Sequence, residues 1–342
     1  MGQVTIKDIA RICGVGVSTV SRAMNNHPDI NEATKQKVQQ AIKDYNYVPN
    51  NSARNLKRLE SNTIAVLVKG IYNAFVTDFF IESAKFMKKS EYSVYLQQVD
   101  VEEDEVEVAL ELVKEKRLKG IVFLGGYFNH VKEKLDLLEV PFVMMTVAPE
   151  DGTEKYCSSV YVDDEAESFK MVDYLCRQGH KRIALITTSA EDRSIGHLRA
   201  NGYYRALAAN GLEHSEDLIR RMKTGNKEYS IKTGYDVTKS LLEDHVDFTA
   251  IYACSDYAAI GACKAVFETG RRVPEDYSIA GYDGLEIGKY YIPQITTIEQ
   301  PIHEMIKKTL DILMEEMQGQ VKHQKVVFDG KLLIGGSVAA ID

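Results

Sequence analysis

The sequence predicts two kinds of unit in one chain: a small all-α head, then a two-lobed α/β body of doubly wound parallel sheets. Three observations carry this. Residues 5–45 show helical spacing of apolar residues, with polar caps and no strand-like run. From Thr63 onward, short apolar runs alternate with amphipathic helical stretches, the pattern of a parallel sheet covered on both faces. That alternation restarts near Ser159, so the body has two halves, and 342 residues suffice for two or three domains.

In the head, Thr5 is expected to cap a first helix, with Asp8 as the reciprocal acid. Ile6, Ile9 and Ala10 share one face. Gly14-Val15-Gly16 interrupts it, and a second helix runs from Val17 to Asn25, with Val20 and Met24 inward. Ser18, Thr19, Ser21, Arg22 and Asn25 are left to face out. Apolar residues that seat a helix, and short polar side chains plus one arginine on display, are what entry into a DNA major groove requires. The plainer alternative is an ordinary helical hairpin. Asn31 caps a third helix, Glu32 to Asp44, whose stripe of Val38, Ala41 and Ile42 is continued by Tyr45. Tyr47-Val48-Pro49 stops it. Residues 50–60 are polar and basic, and Ala53, Leu56 and Leu59 fall at helical spacing. One or two turns are marginal in water, so this stretch either orders on DNA and a partner chain or is a solvated linker.

In the body, Thr63–Val68 reads as a buried strand, Phe75–Lys89 as a helix, Tyr92–Val99 as a strand and Glu103–Arg117 as a helix. Gly120–Leu124, His130–Leu138 and Pro141–Thr146 continue as strand, helix and strand. The second half opens with Ser159–Val162, Glu165–Gln178 and Arg182–Thr187. Helices near 196–210 and 230–243 bracket a short segment near 218–223. Thr249–Cys254, Tyr257–Thr269 and Tyr277–Ala280 follow as strand, helix and strand. Ile302–Met317 is an amphipathic helix with Ile306, Leu310, Leu313 and Met317 in register. Lys325–Phe328 and Lys331–Ile334 are expected to form a last strand pair. Ligands of such folds bind outside the carboxyl ends of the strands, here between the lobes.

The net charge of −8 is unevenly spread. Residues 1–60 hold nine Lys/Arg against five Asp/Glu, a net +4, which leaves −12 on the remainder. A basic unit can meet a polyanion that an acidic body repels. The five cysteines form no CxxC pair and read as reduced core residues. No signal-type segment opens the sequence and no run of 18 apolar residues occurs, so a cytoplasmic, nucleoid-associated protein is expected.

Motifs of catalysis come close and miss. Gly14-x-Gly16-x-x-Thr19 lacks the last glycine and the preceding strand of a dinucleotide site. Gly284-Leu-Glu-Ile-Gly-Lys289-Tyr is one residue short of a phosphate loop. His303-Glu304 is followed by Lys307 where a zinc helix needs its second histidine, and no GxSxG occurs. No catalytic residue, metal or other cofactor is therefore expected. A sugar-binding transport protein would share the body but has no use for the basic head.

Several blocks run in order through the chain. They are Val4-Thr-Ile-Lys-Asp-Ile-Ala10 with Gly14-Val15 and Thr19-Val-Ser-Arg22, then Tyr45-x-Tyr47-x-Pro49-Asn50 with Ala53-Arg54-x-Leu56. Gly179-His180-x-Arg182-Ile183, Arg199-x-x-Gly202-Tyr203 and Asp256-x-x-Ala259-x-Gly261 follow, then Val273-Pro274-x-Asp276, Gly281-Tyr282-Asp283 and Thr296-Thr297-Ile298-x-Gln300-Pro301. Together they resemble the LacI/GalR family of bacterial transcription regulators over essentially the whole chain. Two departures stand out. Gly16 opens the second helix where the family usually has Ser, and Ile334-Gly-Gly-Ser337 lacks charged residues expected before that Ser.

The resemblance implies a helix-turn-helix domain at 1–48, a hinge at 49–60 that is helical on DNA, and a periplasmic-binding-protein-like body at 61–342. Its N-lobe is expected at about 61–162 plus 292–323 and its C-lobe at about 163–291 plus 324–342. Val17, Ser18 and Arg22 are the candidates for base contact, the arginine being able to pair bidentately with guanine. Thr5, Thr19, Ser21, Asn25 and Tyr47 would bind phosphates. Asn50, Ala53, Leu56 and Lys57 would act in the hinge, with Leu56 as a minor-groove wedge. Matching ligand positions are Tyr72, Asn73, Phe75 and Tyr127, then Asp163 or Asp164, Arg193, Arg199, Tyr229, Asp256 and Asp283. Carboxylates, an arginine and aromatic faces suit a sugar, with a purine or small anion as the alternative. Asp256 could instead cap the helix that it precedes, and Tyr72, Phe75 and Tyr127 could be ordinary packing. The expected whole is a homodimeric repressor on a pseudo-palindromic operator of double-stranded DNA, controlled by a small effector.

Overall fold

Helices in the head form where caps and stripes place them. The computed structural model describes residues 4–24, 27, 29–45, 47, 62–69, 75–88, 90–127, 130–149, 155–189, 195–222, 229–320 and 322–341. The chain falls into two units, 1–61 and 62–342. At α1 (Ile6–Cys13), Thr5 accepts from the Asp8 N–H while its own N–H donates to the Asp8 carboxylate at 3.0 Å, a reciprocal cap. Gly14 ends the helix in the left-handed region at φ 66. α2 (Val17–Met24) buries Val20 and Ala23, with Met24 partly buried, and α3 (Glu32–Asp44) is capped by Asn31, whose Oδ1 accepts from the Ala33 N–H at 2.8 Å. Ile9, Ala10, Cys13, Val20, Ala23, Val38 and Ala41 make the core. One expectation fails here. Tyr45, expected on the apolar stripe, is 50% exposed, and Tyr47 is buried. The helix has ended by then, and the Tyr47 N–H turns back to the Ile42 carbonyl at 3.0 Å.

The first half of the body comprises β1 (Thr63–Lys69), α4 (Phe75–Met87), β2 (Ser93–Val99), α5 (Glu105–Lys116), β3 (Gly120–Leu124), α6 (Lys132–Asp136), β4 (Phe142–Met145) and β5 (Ser158–Val162). The second comprises α7 (Asp164–Arg177), β6 (Ile183–Thr187), α8 (Ile195–Ala209), β7 (Ile219–Arg221), α9 (Ile231–Glu243), β8 (Ala250–Ala253), α10 (Asp256–Glu268) and β9 (Ser278–Ala280). After it come α11 (Glu286–Lys289), β10 (Thr297–Glu299), α12 (Ile302–Met317), β11 (Lys325–Phe328) and β12 (Lys331–Leu333). The helix expected over His130–Leu138 shrinks to the single turn of α6.

Two parallel sheets result, ordered β11-β5-β4-β3-β1-β2 and β7-β6-β8-β9, with β10 and β12 as an antiparallel pair. Their central strands are buried along their length, which their unbroken apolar runs require. α12 lays Met305, Ile306, Leu310 and Leu313 against Ile64, Val66 and Val122 of the first sheet.

Here the expected last strand pair is corrected. β11 and β12 do not pair with each other. β11 adds in parallel to β5, Val326 opposite Val160, whereas β12 pairs with β10. Residues 325–328 therefore belong to the first lobe's sheet rather than to the C-lobe. Residues 294–299 likewise lie with the second lobe, where the Gly281 N–H donates to the Thr296 carbonyl at 2.8 Å and the Asp283 N–H to Ile298 at 2.9 Å. The chain crosses between lobes three times, at Val162–Asp164, Gln300–Ile302 and Phe328–Lys331. Each crossing leaves or meets the carboxyl ends of the strands, so those edges border the cleft.

Candidate DNA-binding face and effector cleft

α2 displays what its seating leaves free. Val17 is 41% exposed, Ser18 and Arg22 are exposed, and Thr19 and Ser21 are half-buried, with Thr5 exposed at the start of α1. A Cβ added at Gly16 would meet only Ser18 Oγ at 3.6 Å and Thr19 Oγ1 at 3.8 Å, so the missing serine is a matter of chemistry and not of room. Tyr47 is packed in the head core, which leaves little of it for a phosphate. Asn25, Asn50, Ala53, Leu56 and Lys57 lie outside the described residues.

In the body, a charged cluster sits at the carboxyl edge of the second sheet. α8 carries Arg199, 2% exposed, whose Nε donates to Asp164 Oδ1 at 2.8 Å and whose Nη1 donates to the Cys254 carbonyl at 2.6 Å. Nη1 also lies 3.2 Å from Asp283 Oδ1, and the guanidinium stacks 3.7 Å from the Tyr282 ring centroid. Burial pushes the Asp164 and Asp283 carboxyls up, Asp283 to about 6, while Arg199 pulls both back. Asp283 adopts φ 111, a strained conformation for a non-glycine residue. β10 holds it there, with the Gln300 amide donating to its Oδ1 at 3.0 Å. Gln300 is the first residue of the second crossing, so the Asp283 carboxylate is tied to a lobe connection.

The two acids opening the second lobe divide. Asp163, one of the two alternatives for a ligand contact, is exposed and caps α7, accepting from the Ala166 N–H at 3.0 Å. Asp164 is buried on Arg199, so it is the acid the structure brings to the cluster. Asp256 does not cap α10, because Ser255 does, accepting from the Ala258 N–H at 3.2 Å. Instead Asp256 is wholly buried and accepts from the Leu285 N–H at 2.7 Å and from Thr297 Oγ1 at 2.6 Å. Burial and the Asp283 charge push its carboxyl up to about 8. It latches the loop after Asp283 onto β10, a positioning role behind the cleft.

Tyr229 approaches the first turn of α8, where a Cβ at Gly196 would lie 2.9 Å from its hydroxyl and 2.2 Å from Thr188 Oγ1. Glycine is what allows that approach. Tyr127 is half-buried after β3, and Phe75 opens α4. Tyr72, Asn73 and Arg193 lie outside the described residues. At the first sheet's edge, Lys69 ends β1 and pairs with Glu105 at 2.8 Å, and His130 Nε2 lies 3.2 Å from the same carboxylate. Among the described residues, Asp104, Glu105 and His130 are close enough together to share a cation, but Lys134 and Lys69 already neutralise the two acids. The sequence reading left Asp163 and Asp164 as alternatives, and it missed Gln300 and this network. Adjacent acids and a lone glutamine carry no local signal of burial.

Comparisons with known proteins follow the same division. Residues 5–50 match the family described as bacterial regulatory proteins, lacI family, and residues 172–338 match a periplasmic binding protein-like domain. The HTH-type transcriptional regulator MalR of Clostridium butyricum is 39% identical over 331 residues, covering 96% of this chain and 97% of that protein. The chain belongs to the lacI family. The HTH-type transcriptional repressor CytR of Escherichia coli (strain K12) is 31% identical over 341 residues, covering 98% of this chain and 97% of that one. Among solved structures, the lac repressor dimer bound to operator and the anti-inducer ONPF has a TM-score of 0.76 at 26% identity, covering 99% of this chain and 100% of that one. A complex of the regulator CelR with cellobiose gives 0.70 at 25% identity, covering 98% and 100%. As a LacI-family member, this chain is a DNA-binding transcription regulator whose α1 and α2 form the helix-turn-helix. Among the described residues, no helix is long and apolar enough to cross a membrane.

Proposed function

We propose that this regulator is a cytoplasmic homodimeric repressor whose paired heads bind a pseudo-palindromic operator, and whose grip on DNA answers to a sugar in the inter-lobe cleft. The observation that carries this reading is the tie from Arg199 through Asp283 to Gln300. A ligand that engages the Asp283 carboxylate acts on a residue held to one of the three lobe connections. It can shift the lobes only by as much as it binds one arrangement better than the other. Carboxylates beside an arginine suit the paired hydroxyls of a sugar, and the relative solved with cellobiose supports that class. No turnover of the bound sugar is expected.

Selection from a random duplex library, followed by gel shifts with and without a sugar panel, tests the whole reading. Arg22→Ala should lose selectivity for the chosen site, as expected if the arginine reads a guanine edge worth about 1–3 kcal/mol. Unchanged selectivity removes that role. Asp283→Ala should still bind DNA but no longer respond to the sugar. A full response in that variant would mean the effector binds elsewhere.

A further inference from the structure

Each crossing between the lobes leaves a single residue between a first-lobe element and a second-lobe anchor. In the first, Val162 ends β5 and Asp164 is held by Arg199, with Asp163 between them. In the second, Gln300 is held by Asp283 and Ile302 opens α12, with Pro301 between them. In the third, Phe328 ends β11 and Gly330 is held by Lys170, whose Nζ donates to the Gly330 carbonyl at 3.1 Å. Asp329 lies between those two. Val162 and Phe328 are partners in the first sheet, so the first and third crossings leave it side by side.

The first two anchors share one guanidinium, since Arg199 pairs with both Asp164 and Asp283. The third is built separately. Lys170 and Glu167 both lie on α7, and Lys170 Nζ also donates to the two Glu167 carboxylate oxygens, at 2.7 and 2.6 Å. Glu167 is 4% exposed, so its charge is buried with Lys170 as its counter-ion. A Cβ at Gly330 would lie 2.9 Å from Glu167 Oε2 and 2.6 Å from Ile298 Cγ2 of β10. Glycine lets the backbone of the third crossing rest on α7 and on β10, the strand that leads into the second crossing.

We propose that Lys170, seated on Glu167, is a positioning residue that pins the third crossing to the second lobe and so sets the arrangement the lobes adopt without effector. With Gly330 pinned, bending at this crossing is confined to Asp329. The Arg199 network confines it to Asp163 and Pro301 at the other two. One lobe then pivots on the other at three single residues. Released from Lys170, the third crossing has more backbone to bend over, and the lobes sample more than one arrangement. The pin acts on the empty protein, so it does not depend on what the cleft binds.

Spin labels on an exposed helix residue of each lobe, through Glu111→Cys on α5 and Ser240→Cys on α9, report the inter-lobe distance by pulsed electron resonance. Four of the five native cysteines are buried, and Cys176→Ser removes the fifth. The labelled full chain is diluted into excess unlabelled chain, so that two labelled copies do not meet. The Lys170→Met, Glu167→Gln double variant removes the pin and leaves no buried charge unpaired. Its main distance should move by more than about 2 Å or split into two populations. Glu167→Gln alone keeps the Lys170 donor and should match the wild type. Gly330→Ala leaves the ion pair in place but lifts the crossing off it, and should also move the distance. An unchanged distance in the double variant or in Gly330→Ala overturns the pin. A shift in Glu167→Gln as large as in the double variant also overturns it, by placing the effect within α7. If the double variant and Gly330→Ala both fail to fold, the seat of Gly330 serves core stability and the positioning role falls.

Discussion

Asp256 holds its proton to about pH 8, far above the range of an exposed aspartate, because it is wholly buried and Asp283 is near. A carboxyl raised in the folded state binds more protons there than in the unfolded chain. Its contribution to stability is therefore full below about pH 4, falls as pH rises to about 8, and is flat above. Asp256→Asn removes that dependence. In urea denaturation the wild type should lose ground to Asp256→Asn from pH 5 to 8, by at most about 1.4 kcal/mol per pH unit. Parallel curves would mean Asp256 is ionised throughout. Arg199→Met should destabilise by about 3–5 kcal/mol at neutral pH, because two buried acids lose their counter-ion. The deficit should shrink in acid, where Asp164 and Asp283 can protonate. In the head, Gly16→Ser should raise the melting temperature slightly, since the space is open and a capping hydroxyl is worth roughly a few tenths of a kcal/mol over glycine. A clear drop would rule out a capping role there. At this scale the sequence is legible where chemistry is local. The Thr5–Asp8 cap and the Asn31 cap follow from their spacing. Choosing between Asp163 and Asp164 needed Arg199, which lies on a helix more than thirty residues away.

Elements were easier to read than their neighbours. The spacing that predicts Ile302–Met317 returns the same helix, because Ile306, Leu310 and Leu313 bury a continuous stripe. The strand Lys325–Phe328 was also legible, but its partner was not. Its side chains alternate between exposed and half-buried, as an edge strand does on either sheet. α12 decides the matter by delivering the chain to the edge of the first sheet. Tyr45 and Tyr47 mark the other limit, since a stripe extrapolated past a helix end selects the wrong residue. The close pair α9 and α10 gives a sharp test of packing. A Cβ at Gly261 would lie 2.1 Å from the Ile231 carbonyl and 2.5 Å from the Tyr235 nitrogen. Both are backbone atoms that cannot swing aside. Gly261→Ala should therefore destabilise the body by about 1–3 kcal/mol or more. Thermal denaturation with an unchanged midpoint would show that the helices can separate without penalty.

Across the whole molecule, charge assigns the work. Residues 1–60 carry +4 and the remainder −12, so contact with DNA is expected of residues 1–60 rather than of the body. A chain beginning at Asn62 should show no DNA binding even at low salt, whereas the full chain should lose affinity steeply as salt rises. Residual binding by the shortened chain would mean that the body contributes contacts of its own. The division between a basic head and an acidic α/β body was open to sequence reading, because charge and hydrophobic period differ on the two sides of the linker. The two later boundaries between the lobes were not, because each of those crossings is only a few residues long and carries no composition of its own. Those three crossings have a mechanical consequence. The lobes are joined by three strands of backbone side by side, so cutting any single one leaves the other two in place. A protease that nicks the chain at Asp329-Gly330 should give two fragments that still migrate together under native conditions, and only denaturant should part them.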